Sequence, residues 1–158
     1  MYRIFVYGTL KRGMPNHSLI EDVQNGKAVY VANGTMAEKY PMVVEPNFGI
    51  PFLLDNPGEG KNVEGEVWDV DSNMLKKLDG IEMHPDWYTR FEKDIVVKDE
   101  AAESNKSAII KCWTYILCDF SPKLTTYKYL STYTNEDVVY IPPNERFLKN
   151  FDPWSMKK

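Results

Sequence analysis

The sequence predicts an α+β protein: a small, mixed β-barrel, closed or nearly closed, with a few short helices packed around it. Two observations lead to this prediction. Short apolar and aromatic runs, separated by turns rich in Gly, Pro and Asn, recur through residues 1–118. One segment alone has convincing helical spacing. Many short strands with few helices are typical of a barrel.

Length and composition favour one domain over residues 1–158. The chain has 43% hydrophobic and 13% aromatic residues, which is ordinary for a globular protein. A net charge of −4 argues against nucleic acid or an anionic membrane surface as the main partner. No apolar run approaches membrane-spanning length, and the N-terminus leads into a strand rather than a signal sequence. We therefore expect a cytoplasmic protein, and nothing in the sequence demands more than a monomer.

The first strand is expected over residues 2–7, and it breaks into a glycine-bounded loop over residues 8–13. Glycine lacks a Cβ, so it permits the unusual φ/ψ angles and the close approach that such a turn needs. Backbone N–H groups presented at a strand end suit a carboxylate, a phosphate or a developing oxyanion. A plain β-turn joining two elements is the alternative explanation.

The later strands are bounded by similar turn residues. They are expected at residues 27–32, 50–54, 63–70, 88–97 and 108–118. The polar residues 98–107 between the last two predict a solvated loop. The tail over residues 120–158 is rich in Tyr, Thr, Pro and Asn, and it gives little periodic signal beyond one short helix over residues 124–132. Its role is open from sequence.

The two cysteines, Cys112 and Cys118, lie in one predicted strand. Six residues along a strand span about 20 Å at roughly 3.3 Å per residue, whereas a disulfide needs Cα atoms within about 7 Å. The pair is therefore expected to be reduced, as in a cytosolic protein. With only His17 and His84 besides, the sequence offers no metal-ligand cluster at recognisable spacing, and no metal site is expected.

The convincing helix follows the N-cap candidate Asp71. Its face carries Met74, Leu75 and Leu78, and Gly80 is a natural residue for the position just past its end.

Glu82 follows this helix directly, and two effects act on its carboxyl. The negative end of a helix disfavours a carboxylate, and Ile81, Met83 and Trp87 would desolvate it if they fold over it. Both effects raise the pKa toward values useful for proton transfer at neutral pH. A solvated loop glutamate is the alternative, because Glu is rarely buried without a partner.

Other polar candidates are weaker. His84 is expected to be a loop histidine, although its closeness to Glu82 would allow it to modulate that site. Glu64 and Glu66 share one strand face; Glu66 could point into a barrel mouth, and a solvent-facing pair is favoured. The two basic residues of the 8–13 loop could attract an anionic substrate, but exposed loop cations need no such explanation.

Several motifs, taken together and in register, resemble those of the γ-glutamylamine cyclotransferases. They are residues 7–13 (YGTLKRG), 40–43 (YPMV), 50–54 (IPFLL), 57–60 (PGEG) and 63–68 (VEGEVW), followed by Leu78, Asp79, Glu82, Pro85, Tyr88 and Arg90. The resemblance runs from about residue 2 to residue 90, slightly over half the chain, and thins beyond it.

The resemblance implies a mixed barrel with a cavity at one side and no cofactor. It implies that the α-amine of a small-molecule substrate attacks its own γ-glutamyl amide, releasing 5-oxoproline and a free amine, with γ-glutamyl-ε-lysine as the suggested substrate. The family's catalytic glutamate falls on Glu82. The loop that holds the glutamyl portion falls on Tyr7, Gly8, Thr9 and Leu10.

The chemistry of the residues agrees with this assignment. Lactam formation is intramolecular, so an enzyme has mainly to fold the substrate into a reactive geometry. One carboxyl between the two nitrogens can act as base and then as acid.

Alternatives to this substrate and function remain open. The substrate could be another γ-glutamyl amine or a γ-glutamyl group that protects a biosynthetic intermediate. A non-catalytic relative that binds a small metabolite or a partner is possible, as is a phosphate-binding loop. The latter lacks the Gly-x-x-x-x-Gly-Lys-Ser/Thr spacing.

Overall fold

The structure, a computed structural model, describes residues 1–98, 106–136 and 139–158. The strands are β1 (Tyr2–Val6), β2 (Ala28–Met36), β3 (Met42–Glu45), β4 (Ile50–Leu53), β5 (Glu64–Val70), β6 (Tyr88–Lys98) and β7 (Ser107–Leu117). The α-helices are α1 (Ser18–Glu21), α2 (Ser72–Ile81) and α3 (Pro143–Arg146), with 3-10 turns at Pro122–Thr126, Phe147–Lys149 and Pro153–Met156. Most of the predicted loop over residues 98–107 lies outside the described residues. Within the described ranges, no helix is both long and apolar enough to cross a membrane.

Five strands close into a barrel in the order β1-β5-β2-β6-β7. The contact of β1 with β7 is parallel and the other pairs are antiparallel, so the barrel is mixed. This confirms the predicted fold class. A separate hairpin of β3 and β4 lies outside the barrel order. Strand β3 was not predicted, because four residues carry too little alternation to mark a strand.

Two hydrophobic cores meet across the barrel strands. Phe5 packs in one core with Val67 and Ile95 from neighbouring strands. Its neighbours in β1, Ile4 and Val6, belong to the other core, since successive side chains of a strand point to opposite faces. This second core also holds β4 and α2, and it fixes both beside the end of β1.

Helix α2 begins as predicted and ends slightly later than predicted. The Asp71 side chain accepts a hydrogen bond of 2.9 Å from the Met74 backbone N–H, which is an N-cap. The helix continues one residue past Gly80 and is capped by Glu82, whose N–H reaches the helical carbonyl four residues earlier. Met83, with φ of 51°, takes the left-handed conformation that was expected of the glycine.

The C-terminal tail returns to the barrel and packs on it. A 3-10 turn at Pro122–Thr126 replaces the helix predicted over residues 124–132. Further along, the Trp87 indole N–H donates to the Pro153 carbonyl at 2.8 Å, and the Lys157 ammonium donates to the Trp87 carbonyl at 2.9 Å. Both cysteines are free; Cys112 is buried, but Cys118 is only half-buried.

Candidate active site

A cavity of about 440 Å³ opens where β1 ends, beside β4, the end of α2 and the tail. The five residues predicted from sequence for the site, Tyr7, Gly8, Thr9, Leu10 and Glu82, all line it. The fold therefore brings together two motifs that lie more than seventy positions apart in the sequence.

The loop after β1 presents unpaired backbone donors along the cavity wall. The N–H groups of Gly8, Thr9 and Leu10 donate no hydrogen bond to any residue within the described ranges. The loop is held instead through its carbonyls, which accept from the N–H groups of Lys11 (3.1 Å) and Asn16 (2.9 Å). Since backbone donors are almost always paired in folded proteins, three unpaired ones in sequence suit a carboxylate or a developing oxyanion.

Gly8 is needed for close packing rather than for an unusual backbone angle. A Cβ built on Gly8 would lie 2.6 Å from Cγ of Pro51. Of the two glycines that bound the loop, Gly13 has a left-handed backbone, with φ of 79°, and Gly8 does not. The loop can therefore approach β4 this closely only with a glycine at position 8.

The Tyr7 hydroxyl forms a hydrogen bond within the protein. It donates to the Tyr115 carbonyl at 2.7 Å, and the side chain is buried. Leu10 is also buried, so its side chain contributes apolar surface to the cavity. A ligand would contact the ring of Tyr7 and the backbone of the loop.

Glu82 is the carboxyl of this cavity. Its side chain is partly exposed to the cavity and otherwise enclosed by protein. Among the described residues, none donates a hydrogen bond to it. Desolvation raises the pKa of Glu82 to about 7, against a smaller lowering by the positive charge of Arg146. Ile81 and Trp87 line the cavity with it as expected, whereas Met83 is 38% exposed and lies outside the lining.

A hydrogen-bonded network behind the cavity positions the aromatic wall. Asp79 accepts from the Tyr115 hydroxyl at 2.7 Å and from the Arg90 guanidinium at 2.8 Å. His84 accepts from the Arg90 backbone N–H at 3.2 Å and does not line the cavity. His84 therefore holds the chain after α2 against the start of β6.

Glu66 differs from its expected solvent-facing position. It is buried and accepts hydrogen bonds from the Arg12 backbone N–H (2.9 Å), the Arg12 guanidinium (2.9 Å) and the Trp68 indole (3.3 Å). Burial alone would raise the pKa of Glu66, but these donors lower it overall. The expectation was wrong because the loop folds back over the strand; Glu64, its partner on the strand face, is exposed.

A second, wider concavity of about 660 Å³ lies against β2 and β5. Glu66 and Lys11 line it, but Glu66 is bonded as above, and the Lys11 ammonium donates to the Tyr133 carbonyl at 2.8 Å. Across the part of the chain that the structure describes, no three His, Cys, Asp or Glu residues are grouped to hold a metal ion. The smaller cavity, with Glu82, is therefore the better candidate for chemistry.

The sequence analysis missed several polar residues of the cavity wall, among them Asn16, Tyr140 and Arg146. Asn16 follows the glycine loop without any motif of its own. Tyr140 and Arg146 lie in the tail, where no periodic pattern marks them. Only folding of the tail onto the barrel brings them to Glu82.

Most of this chain is similar to known proteins. The family model described as "Gamma-glutamyl cyclotransferase, AIG2-like" matches residues 4–135. The chain is 37% identical over 140 residues to the gamma-glutamylaminecyclotransferase of Homo sapiens, covering 86% of this chain and 92% of the human protein. It is 39% identical over 121 residues to gamma-glutamylaminecyclotransferase C of Danio rerio, covering 77% of this chain and 78% of that protein.

The fold is also similar to a solved structure. The crystal structure of an AIG2-like protein from Mus musculus superposes with a TM-score of 0.83 at 36% sequence identity. The superposition covers 92% of this chain and 99% of the mouse chain.

Proposed function

This chain belongs to the γ-glutamyl cyclotransferase, AIG2-like family, and we propose that it cleaves γ-glutamyl-ε-lysine into 5-oxoproline and free lysine. One observation carries the proposal. Glu82, a carboxyl whose pKa burial raises to about 7, shares a cavity with the backbone N–H groups of Gly8, Thr9 and Leu10, which have no partner among the described residues. The names of the human and zebrafish relatives support the same reaction class.

The first step is removal of a proton from the substrate's α-ammonium by the Glu82 carboxylate. The freed nitrogen then attacks the γ-carbonyl carbon of the same molecule, and the carbonyl electron pair moves onto oxygen. Because the two reacting atoms belong to one substrate, the cavity has mainly to hold it folded. A carboxyl with a pKa near 7 is matched to proton transfer at neutral pH.

The second step is breakage of the bond between the carbonyl carbon and the departing nitrogen. Protonated Glu82 returns its proton to that nitrogen as the carbonyl re-forms. Over the whole reaction the α-nitrogen loses two protons and the departing amine gains two, so a single carboxyl that shuttles protons is sufficient. These steps use one copy of the chain and no cofactor.

We assign to the loop after β1 the stabilisation of the negative charge that develops on the carbonyl oxygen. Unpaired N–H groups of Gly8, Thr9 and Leu10 are donors of the kind that stabilise such an oxyanion. Removing one such donor typically costs about 10²- to 10³-fold in rate. The loop therefore supplies stabilisation, and Glu82 moves the protons.

The direct test is detection of 5-oxoproline by mass spectrometry after incubation with a panel of glutamyl compounds. We expect turnover of γ-glutamyl-ε-lysine and much slower turnover of glutathione. An α-linked glutamyl-lysine should release no 5-oxoproline, because its amide carbonyl is wrongly placed for five-membered ring closure by the α-amine. Equal rates on glutathione and the isopeptide would reject the substrate while keeping the reaction class, and absence of lactam from every compound would reject the function.

A further inference from the structure

The tail segment over residues 139–146 is fixed on the turn between β3 and β4. The Ile141 backbone N–H donates to the Phe48 carbonyl at 2.8 Å. Next to it, Gly49 has φ of 69°, and a Cβ there would lie 2.7 Å from the Val139 carbonyl oxygen. This close backbone contact sets the segment across the cavity, so that Tyr140 lines it.

The Tyr140 hydroxyl donates its proton to no residue within the described ranges. Its oxygen accepts from the Asn16 side-chain amide at 2.8 Å and from the Arg146 guanidinium at 3.0 Å. A phenol oxygen has two acceptor positions and one proton, and both neighbours here are donors. The proton of Tyr140 is therefore free to be donated to an acceptor in the cavity.

The Arg146 guanidinium is held in place by a backbone carbonyl and an aromatic ring. Its Nε donates to the Ile141 carbonyl at 2.8 Å, and the group lies 5.3 Å from the centre of the Phe151 ring. Within the described ranges, no carboxylate lies within ion-pair distance of it. Arginine has five donors in a planar fork that matches a carboxylate, and this one is half-buried on the cavity wall.

The same hydrogen bonds place this pair beside the loop after β1. The Asn16 amide that contacts Tyr140 also donates to the Thr9 hydroxyl at 3.0 Å. Asn16 therefore links Tyr140 and Arg146 to Thr9, whose backbone N–H is the middle one of the three loop donors.

We propose that Tyr140 and Arg146 bind the α-carboxylate of the glutamyl group. The inference rests on the proposed function, in which the α-carbon carries both the attacking nitrogen and this carboxylate. If the loop holds the carbonyl oxygen and Glu82 contacts the nitrogen, the carboxylate must lie near both. The pair meets that requirement, since it is tied to Thr9 and shares the cavity with Glu82.

Two lactams that differ only by the carboxylate test the pair: 5-oxoproline and 2-pyrrolidinone. Titration calorimetry would measure the binding of both to the unmodified protein, Arg146→Gln and Tyr140→Phe. Arg3→Gln is the matched control, because it also removes a partly exposed arginine but lies outside the cavity lining. Arg146→Lys keeps the charge and loses the fork.

We expect the unmodified protein and Arg3→Gln to prefer 5-oxoproline over 2-pyrrolidinone. Arg146→Gln should reduce that preference by about 10- to 100-fold, as expected for a charge-assisted hydrogen bond, and Tyr140→Phe by about tenfold. Arg146→Lys should retain part of it. In turnover, the KM for γ-glutamyl-ε-lysine should rise in both variants by more than kcat falls.

The outcomes separate this inference from the proposed function. An unchanged preference in both variants, or equal weakening for the two lactams, would overturn carboxylate binding by the pair even though turnover persists. Failure of the unmodified protein to produce lactam from any γ-glutamyl compound would reject the function, and the inference with it.

Discussion

Two glutamates lie near the loop that follows β1, and their surroundings contrast. Glu66 accepts hydrogen bonds from Arg12 and Trp68, whereas Glu82 accepts none from the described residues. Burial would raise the pKa of both. It does so at Glu82, to about 7, but the donors around Glu66 lower its pKa overall.

Backbone N–H groups of this loop point to two different places, the Glu66 carboxylate and the cavity that holds Glu82. The N–H of Arg12 donates to Glu66, while the N–H groups of Gly8, Thr9 and Leu10 face the cavity without a partner in the part of the chain that the structure describes. The bonded glutamate thus fixes the loop in place. The unbonded one is left with a pKa suited to proton transfer, an arrangement that costs stability and is typical of functional sites.

The largest effect should come from Glu82→Gln, which keeps the shape and removes the titrating group. We expect the rate of lactam formation to fall by at least roughly 10²- to 10⁴-fold, with binding of 5-oxoproline little changed, because the amide can still form hydrogen bonds. Single-turnover measurement of 5-oxoproline, with calorimetry for binding, checks both.

Glu66→Gln is the paired control for that experiment. It removes the charge that holds Arg12, yet it leaves Glu82 in place, so turnover should fall only modestly. If the large loss of rate appeared in Glu66→Gln, with near-normal turnover in Glu82→Gln, the contrast would be reversed and the catalytic role would move to β5.

Gly8→Val should abolish measurable binding of 5-oxoproline. A side chain at this position collides with Pro51, and a β-branched one is also stiff, so the loop must move away from the cavity. Gly80→Ala is the control, because a Cβ there has open space and should leave binding unchanged. A folded Gly8→Val protein with full affinity, judged by a thermal melt and calorimetry, would remove the loop from the site.

The pH dependence of turnover should report Glu82. In the proposed mechanism the Glu82 carboxylate is the base, so kcat/KM should rise about tenfold per pH unit below the pKa of about 7 and level off above it. Glu82→Gln should lose this acidic limb, and Glu66→Gln should keep it. A limb that persists in Glu82→Gln would belong to another group.

The smallest effect should be on stability, and its sign should differ between the two glutamates. Glu82 has a raised folded-state pKa, so the unmodified protein loses stability as pH rises from about 4.5 through 7. Glu82→Gln should therefore melt at a higher temperature than the unmodified protein near pH 8, and at the same temperature near pH 4.

Glu66 should show the opposite behaviour in the same melts. Its lowered pKa stabilises the fold above the ordinary glutamate pKa of 4.5, and that contribution is lost as pH falls through the folded-state pKa. Glu66→Gln should be less stable by roughly 1 kcal/mol at neutral pH, with the difference closing in acid. If the melting temperatures of both variants changed with pH in the same way, the two carboxyls would have similar surroundings and the contrast would be wrong.

The sequence by itself determined most of the barrel and the two motifs of the candidate site. Strand alternation and turn residues act over a few positions, and so does the cap at Asp71, which is why these features are readable locally. The roles proposed for Glu82 and for the loop at Gly8 came from local chemistry together with a family resemblance. The short strand β3 and the tail had no such local signal.

Only the tertiary structure decided which carboxyl is bonded and which is left unpaired. Arg12 and Glu66 lie 54 positions apart, and Asn16 and Tyr140 lie 124 apart. Contacts of this kind depend on barrel closure and on how the tail packs at Gly49. No periodic pattern in the sequence predicts either feature. The surroundings that set a carboxyl's pKa are assembled from such distant segments, and the residue type alone does not determine them.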